Sequence, residues 1–232
     1  MSDEDDQEPT APTPGWARVL VVTAAVLAVL LVGAAAGLLI AQSRTSETAA
    51  PSPDSVATGF CQDMSVHHRQ AIYMAGLARD RTTDEAIKHV AFDIETGQTE
   101  QVGRMQGWLN LWGRDPLPIG GYMGWMTGST HAHTGPVSAD GKVATMPGVA
   151  TPDELKELDR LTGAAFDLRF LQLMLRHHQG GVEMLRYAAE RAEVGVVRNL
   201  ASQMAVAQTN ESDLLLSMIT QRGGTPLPSP NE

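Results

Sequence analysis

Apolar residues in segment 60–78 recur at the spacing of an amphipathic α-helix. They lie three, four or seven positions apart, which places them along one helix face: Phe60, Met64, Ala71, Met74 and Ala78. A second helical pattern follows, and Thr82-Thr-Asp-Glu85 fits a capping box at its beginning. Gly113, with prolines just beyond it, marks its end. The pattern therefore predicts a helical hairpin.

The chain contains this hairpin twice. Shifting the sequence by 110 positions aligns 60–118 with 170–228 without a gap, and fifteen of the 59 aligned positions are identical. The second copy predicts helices over 163–191 and 194–222, after a short helix that begins at Thr151-Pro-Asp-Glu154. Because neither hairpin can cover its own apolar face, we expect an all-α four-helix bundle.

The expected bundle domain spans residues 58–228. It consists of a first hairpin at 58–118, a connection at 119–150 that is rich in Gly, Met and His, and a second hairpin at 151–228. The connection shows neither helical nor strand periodicity, and a loop of this length is usually functional or disordered.

An uncharged apolar run covers residues 19–41. A helix of that length reaches about 35 Å, enough to cross a hydrocarbon core of ~30 Å. We predict a transmembrane anchor at 18–42, preceded by a disordered acidic tail at 1–17 and followed by a tether at 43–57. The alternative is a cleaved signal peptide, which usually has a shorter apolar core and a better small-x-small cleavage site.

Charge and cysteine content narrow the functional classes. The net charge is −10 and no basic tract is present, which counts against nucleic-acid binding. Cys61 is the one cysteine, so an intrachain disulfide is impossible. Its counterpart in the second hairpin is Leu171, which predicts a small buried apolar role for Cys61.

Each hairpin carries two adjacent histidines among methionines. Steps of three and seven residues place the first histidine and both methionines on one helical stripe. Thioether sulfur favours Cu(I), while imidazole serves Cu(I), Cu(II) and Zn(II). A pseudo-two-fold axis between the hairpins would bring the two histidine pairs towards each other. The candidate metal ligands are Met64, His67, His68 and Met74 in the first copy and Met174, His177, His178 and Met184 in the second.

A copper site has two competitors, core packing and a di-iron centre. Methionine at helical spacing often only fills a core, although a repeated pair of adjacent histidines is less expected from packing alone. A di-iron centre requires Glu-x-x-His motifs, but the residue three positions before His67 and before His177 is methionine. This pattern counts against ferroxidase or oxygenase chemistry.

Residues outside the repeated motif add weaker candidates. Asp167 precedes His177 by ten positions and is a candidate to orient an imidazole as a hydrogen-bond acceptor. In the 119–150 connection, methionines and a His-x-His pattern could capture copper loosely, while a mobile linker accounts for the same composition equally well. These loop candidates are Met123, Met126, His131 and His133.

The repeated Phe-x-x-x-Met-x-x-His-His motif resembles the family known as domain of unknown function 305. The second copy matches it more closely, through Phe170-Leu-Gln-Leu-Met174 and His177-His178-Gln-Gly-Gly181, and the resemblance covers about 58–228. It implies a ferritin-like four-helix bundle, exported or membrane-anchored in bacteria, with copper binding or copper tolerance in some members. In the first copy, Gln70-Ala71 replaces Gly180-Gly181, so the two halves are not identical.

Our leading hypothesis is a single-span protein of the cytoplasmic membrane, with its C-terminal bundle outside the cytoplasm. The bundle would bind Cu(I) or Cu(II) through the duplicated motif and sequester or deliver it without catalysis. The first alternative is an envelope interaction module whose histidines and methionines only pack. The second is a metal-dependent oxidase that uses the same ligands. A homo-oligomer is compatible with the sequence.

Overall fold

A computed structural model describes residues 15–48, 50–127, 137–139 and 141–230, and for residues 41–48 it describes the backbone only. The described chain is helical and holds no strand, only isolated bridges such as Tyr122 with Val143. This confirms the all-α prediction. The helices are α1 (Gly15–Thr48), α2 (Val56–Arg81), α3 (Glu85–Leu111), α4 (Pro152–Arg160), α5 (Gly163–Arg191) and α6 (Gly195–Gln221).

Helix α1 contains an apolar stretch, Gly15–Ile40, that is long and apolar enough to cross a membrane by length and composition. The helix continues to Thr48 and therefore includes residues 43–48 of the predicted tether. No glycine or proline interrupts the chain between Gly37 and Pro51, so nothing local ends the helix earlier. Most of the predicted acidic tail, residues 1–14, lies outside the described residues.

Helices α2 with α3 and α5 with α6 form the two predicted hairpins. Both α3 and α6 are followed by a glycine with positive φ, Gly113 at 62° and Gly223 at 68°. The predicted Thr82–Glu85 capping box is wrong, because α3 begins one residue after Asp84. The Asp84 side chain accepts hydrogen bonds from the backbone amides of Ala86 and Ile87.

The hairpins pack against each other through α2 and α5. Their shared core has two apolar clusters, because the middle of both helices carries polar side chains. The first, here called the loop cluster, includes Phe60, Met64, Met184 and Met204. The second, the α4 cluster, includes Met74, Phe166, Phe170 and Met174, and Leu158 of α4 joins it. Along α2 and α5, the double histidines lie between these two clusters.

The described part of the 119–150 connection packs onto the loop cluster. Met123, Trp125 and Met126 are buried there. The Asp63 carboxylate of α2 accepts hydrogen bonds from the Met123 amide at 2.6 Å and from Trp125 Nε1 at 2.8 Å. Burial raises the pKa of Asp63 to about 6, and these two bonds act in the opposite direction. Met123, Trp125 and Met126 therefore pack onto the core of the bundle.

Beyond residue 141, the same connection crosses α5 at very short range. A Cβ added to Gly180 would lie 2.2 Å from the carbonyl oxygen of Pro147 and 2.6 Å from the Cα of Gly148. On the facing helix, the Gln70 side chain donates to the Ala150 carbonyl at 2.9 Å and accepts from its amide at 2.7 Å. Positions 70 and 180 are equivalent in the repeat but carry different residues. The Gln70 side chain binds the loop backbone and Gly180 leaves room for it, so this difference between the halves positions the loop.

This contact predicts opposite effects for two alanine substitutions. Gly180→Ala forces the methyl group into the Pro147 backbone and should destabilise the fold by about 1–3 kcal/mol. Gly103→Ala in α3, where no atom lies within 4 Å of the added Cβ, should stabilise it by about 0.5–1 kcal/mol through helix propensity. Urea unfolding of the full chain in detergent, followed by near-ultraviolet circular dichroism, measures both. Equal effects would contradict the close approach.

Candidate metal site

The first histidine of each motif meets its counterpart where α2 crosses α5. The ring centroids of His67 and His177 are 3.8 Å apart, with an angle of 38° between the planes. Nε2 of His177 donates a hydrogen bond to the backbone carbonyl of His67 at 3.1 Å. Two residues 110 positions apart therefore form the centre of the interface between the hairpins.

The second histidine of each motif bonds within its own hairpin instead. Nε2 of His68 lies 2.8 Å from Oε1 of Gln101 in α3. Nε2 of His178 lies 2.6 Å from Oε2 of Glu211 in α6. Gln101 and Glu211 are themselves 110 positions apart, so the duplication includes the hydrogen-bond partner but changes its chemical type.

All four imidazoles use Nε2 for these bonds, and this choice determines the tautomer. Nε2 of His67 lies 3.3 Å from the Pro147 carbonyl oxygen. Carbonyl, amide and carboxylate oxygens are acceptors, so each Nε2 donates a hydrogen bond, and in the neutral ring Nδ1 keeps its lone pair. None of the described residues offers a hydrogen-bond partner to any of the four Nδ1 atoms, all of which are buried. A buried acceptor without a partner is costly unless another species uses it.

Burial favours the neutral form of His67, His68 and His177. All four rings have no solvent exposure. Loss of solvation lowers the pKa of His67 to about 4 and that of His68 to about 3. The pKa of His177 also lies well below its ordinary value, first because of burial and then because of the neighbouring imidazoles. The neutral imidazole is the form that binds metal ions.

The candidate methionines are all buried but do not form one group of four. Met64 of the first half shares the loop cluster with Met184 of the second, whereas Met74 and Met174 share the α4 cluster. An antiparallel crossing produces this exchange, because residues before the crossing in one helix lie beside residues after it in the other. Thioethers are therefore present on both sides of the histidines.

The loop candidates fall into two sets. Met123 and Met126 are buried in the loop cluster with Met64, although the structure gives no contact between them and an imidazole. His131 and His133 lie outside the described residues. Cys61 is buried in the same cluster, as predicted, and burial raises the pKa of its thiol.

The structure does not give Asp167 the predicted orienting role. Ten residues of helix separate it from His177 by about 15 Å along the axis, and Nε2 of His177 bonds to the His67 carbonyl instead. The groups that hold the second histidines are Gln101 and Glu211, which lie at equivalent positions of the two second helices. Because the two residues differ, the repeat did not single them out. Their spacing of 33 residues from His68 and His178 is identical in both halves.

Two further buried polar residues were missed as site candidates. Gln98 and Gln208 are identical in the two halves and are 4% and 3% exposed. Their amide oxygen and nitrogen atoms find no hydrogen-bond partner within the described chain. A Cβ added to Gly181 would lie 3.0 Å from Gln208 Oε1 and 3.3 Å from His67 Cε1, so Gly181 lies close to both side chains. The recurrence of Gln98-Thr99 as Gln208-Thr209 was the available signal.

The donor set can be compared with what different metals require. Among the described residues, no three His, Cys, Asp or Glu side chains converge on one point. Structural zinc sites usually need four such ligands and catalytic ones three. A pair of buried imidazoles with thioethers nearby is a softer and sparser set, which fits copper, and Cu(I) in particular.

Comparison with known proteins agrees with this fold. A family model described as domain of unknown function (DUF305) matches residues 57–219. No curated protein matches the chain. The crystal structure of a DUF305 protein from Streptomyces coelicolor, described as a candidate secreted protein, is 38% identical with a TM-score of 0.67. The match covers 76% of this chain and 99% of the other.

Two more solved structures share the architecture. A DUF305 fragment from Deinococcus radiodurans is 29% identical, covering 73% of this chain and 97% of the fragment, with a TM-score of 0.57. CopM in its Cu(II)-bound form is 22% identical, covering 72% of this chain and 97% of CopM, with a TM-score of 0.53. At that identity, the likeness to CopM concerns the fold alone.

The buried neutral histidines predict a loss of stability in acid. The unfolded chain takes up protons below about pH 6.5, whereas folded His67 does so only near pH 4. Stability should therefore fall as the pH drops from about 6.5 to 4, by an amount on the order of 3 kcal/mol for this imidazole. Urea unfolding of the metal-free full chain at pH 7 and pH 4 measures the loss.

Variants separate this effect from general acid sensitivity. His68→Gln removes one buried titrating ring and should reduce the loss between pH 7 and pH 4. His89→Asn removes an exposed ring and is the matched control, which should leave the loss unchanged. An equal reduction in both variants would contradict the role of burial.

Proposed function

The chain belongs to the DUF305 family, and from this premise we propose that it is a membrane-anchored copper-binding protein. In this proposal its bundle lies outside the cytoplasm and sequesters or delivers copper without catalysing a reaction. The metal is the cargo of the protein. The ligands are the imidazoles of the two double-histidine motifs, completed by the thioethers beside them.

One observation carries the proposal. Four fully buried imidazoles each donate Nε2–H to an oxygen acceptor, and none of the described residues offers a hydrogen-bond partner to their Nδ1 atoms. Metal-ligating histidines generally hold their second ring nitrogen in this way, which fixes the tautomer and the ring orientation. If packing were their only role, four such buried acceptors would destabilise the fold without compensation.

The side chains around the histidines favour copper over metals that prefer oxygen ligands or require more ligands. Thioethers lie in the apolar clusters on both sides of the histidine pairs, with Met64 and Met184 in one and Met74 and Met174 in the other. Sulfur from methionine stabilises Cu(I), and imidazole binds both oxidation states. Structures of CopM with Cu(II) and with Cu(I) support the idea that this fold accommodates copper in both states.

Each part of the chain then has a defined task. Burial keeps His67, His68 and His177 neutral and thus competent to bind without first losing a proton. Gln101, Glu211 and the Pro147 and His67 carbonyls hold the rings in position. The apolar clusters exclude water from the metal, which limits its release and its reaction with oxygen species.

We infer that α1 remains attached as an anchor. Its apolar stretch, Gly15–Ile40, is 26 residues long and therefore reaches about 39 Å, more than a signal peptide core usually requires. The intact mass of the chain isolated from membranes should include α1, giving about the full 24.8 kDa. A mature chain that begins after residue 40 would contradict the anchor while leaving the metal site unaffected.

Metal titration tests the copper proposal directly. The full chain in detergent, without oxygen, should bind Cu(I) stoichiometrically in competition with a chelator of known affinity. Changing His67, His68, His177 and His178 together to Gln should remove this binding, because the four Nδ1 donors are lost. His89→Asn is the control for an exposed histidine, and changing His131 and His133 to Asn tests the loop candidates.

Two outcomes would overturn the proposal. One is a wild-type chain that binds no copper, and the other is binding that survives the fourfold histidine change. A fourfold variant that keeps its near-ultraviolet circular dichroism shows that the loss concerns metal and not folding. If the wild type binds no metal and the variant only loses stability, the histidines are packing residues of an interaction module.

A further inference from the structure

The two halves of the site differ in the group that holds the second histidine. His68 bonds to the neutral amide of Gln101, whereas His178 bonds to the carboxylate of Glu211. Both partners lie at the same position of the second helix in their hairpin and both are half-buried. The duplication has preserved the geometry and changed the charge.

The carboxylate of Glu211 is in direct contact with the His178 ring. The distance from Glu211 Oε2 to His178 Nε2 is 2.6 Å, and the Glu211 side chain is 29% exposed while the His178 side chain is fully buried. No lysine or arginine of the described chain forms an ion pair with Glu211. Its negative charge is therefore not cancelled by a neighbouring cation before it acts on the ring.

A carboxylate and an amide have different effects on a metal-binding imidazole. A carboxylate that accepts the Nε2–H bond draws the proton towards itself and increases the electron density at Nδ1. It also places one negative charge near the metal, where low polarity makes this charge more effective. Both effects favour a dipositive ion over a monopositive one. An amide oxygen fixes the ring in the same orientation without adding charge.

On this basis we propose that Glu211 is a positioning residue that makes the His178 half of the site prefer Cu(II). The His68 half, held by Gln101, favours Cu(I) in comparison. The protein thus presents two non-equivalent environments for copper within one duplicated fold. This inference rests on the proposed copper function and adds to it the selection of oxidation state at each half.

Two nearly isosteric substitutions test the inference in the full chain in detergent. Glu211→Gln keeps an oxygen acceptor for His178 but removes the charge, and it should weaken Cu(II) binding about 10–100-fold. Cu(I) affinity, measured separately without oxygen against a Cu(I) chelator, should change much less. The reduction potential of the bound copper should rise accordingly.

The reciprocal variant controls for damage to the fold. Gln101→Glu places a carboxylate beside His68 and should strengthen Cu(II) binding at that half, a gain that misfolding cannot produce. The double exchange, Gln101→Glu with Glu211→Gln, should recover a Cu(II) affinity close to that of the wild type. Electron paramagnetic resonance of the Cu(II) form reports the change of environment in each variant.

The results distinguish this inference from the copper proposal itself. Equal losses of Cu(I) and Cu(II) affinity in Glu211→Gln would show a structural role and overturn the inference, as would unchanged affinities for both ions. In either case wild-type copper binding would remain, and the proposed function would stand. A wild-type chain that binds neither ion would overturn both.

Discussion

The contact between His67 and His177 is the constraint around which the bundle is organised. When two copies of one helix cross antiparallel, only the residues at the crossing meet their own counterparts. Here these residues are the first histidines, with ring centroids 3.8 Å apart. The position of this crossing determines which other residues of α2 and α5 lie side by side. Met64, which precedes the crossing in α2, therefore shares a cluster with Met184, which follows it in α5. A duplicated hairpin thereby buries four imidazoles from a single motif around one crossing.

Part of the asymmetry between the halves originates in the 119–150 connection. Its Pro147 carbonyl accepts a hydrogen bond from His67 Nε2, while His177 donates to a backbone carbonyl of the facing helix. Gly180 admits this segment and Gln70 binds it. The loop cluster consequently receives methionines from the connection, whereas the α4 cluster is completed by Leu158. The two ends of the site thus differ in composition although the helices repeat.

Periodicity and self-similarity were sufficient to predict the fold, because both depend on local spacing. The bounds of α5 match the prediction from Gly163 to Arg191, and the internal repeat correctly indicated two hairpins. The pairing of methionines across the crossing was not predictable, since the repeat does not specify which residue lies on the axis. Asp167 was misplaced because sequence proximity along a helix does not imply contact. Glu211 is 33 positions from His178, and only tertiary structure brings them together.

The central claim is that each of the four buried imidazoles offers Nδ1 as a metal ligand while its Nε2 is held by the protein. Nitrogen-15 NMR of the histidine-labelled full chain in detergent reports the protonation of each ring nitrogen. We predict that His67, His68, His177 and His178 carry the proton on Nε2 without metal, and that Cu(I) shifts their Nδ1 resonances. Protonated Nδ1 atoms in the metal-free chain, or copper bound through Nε2, would contradict it.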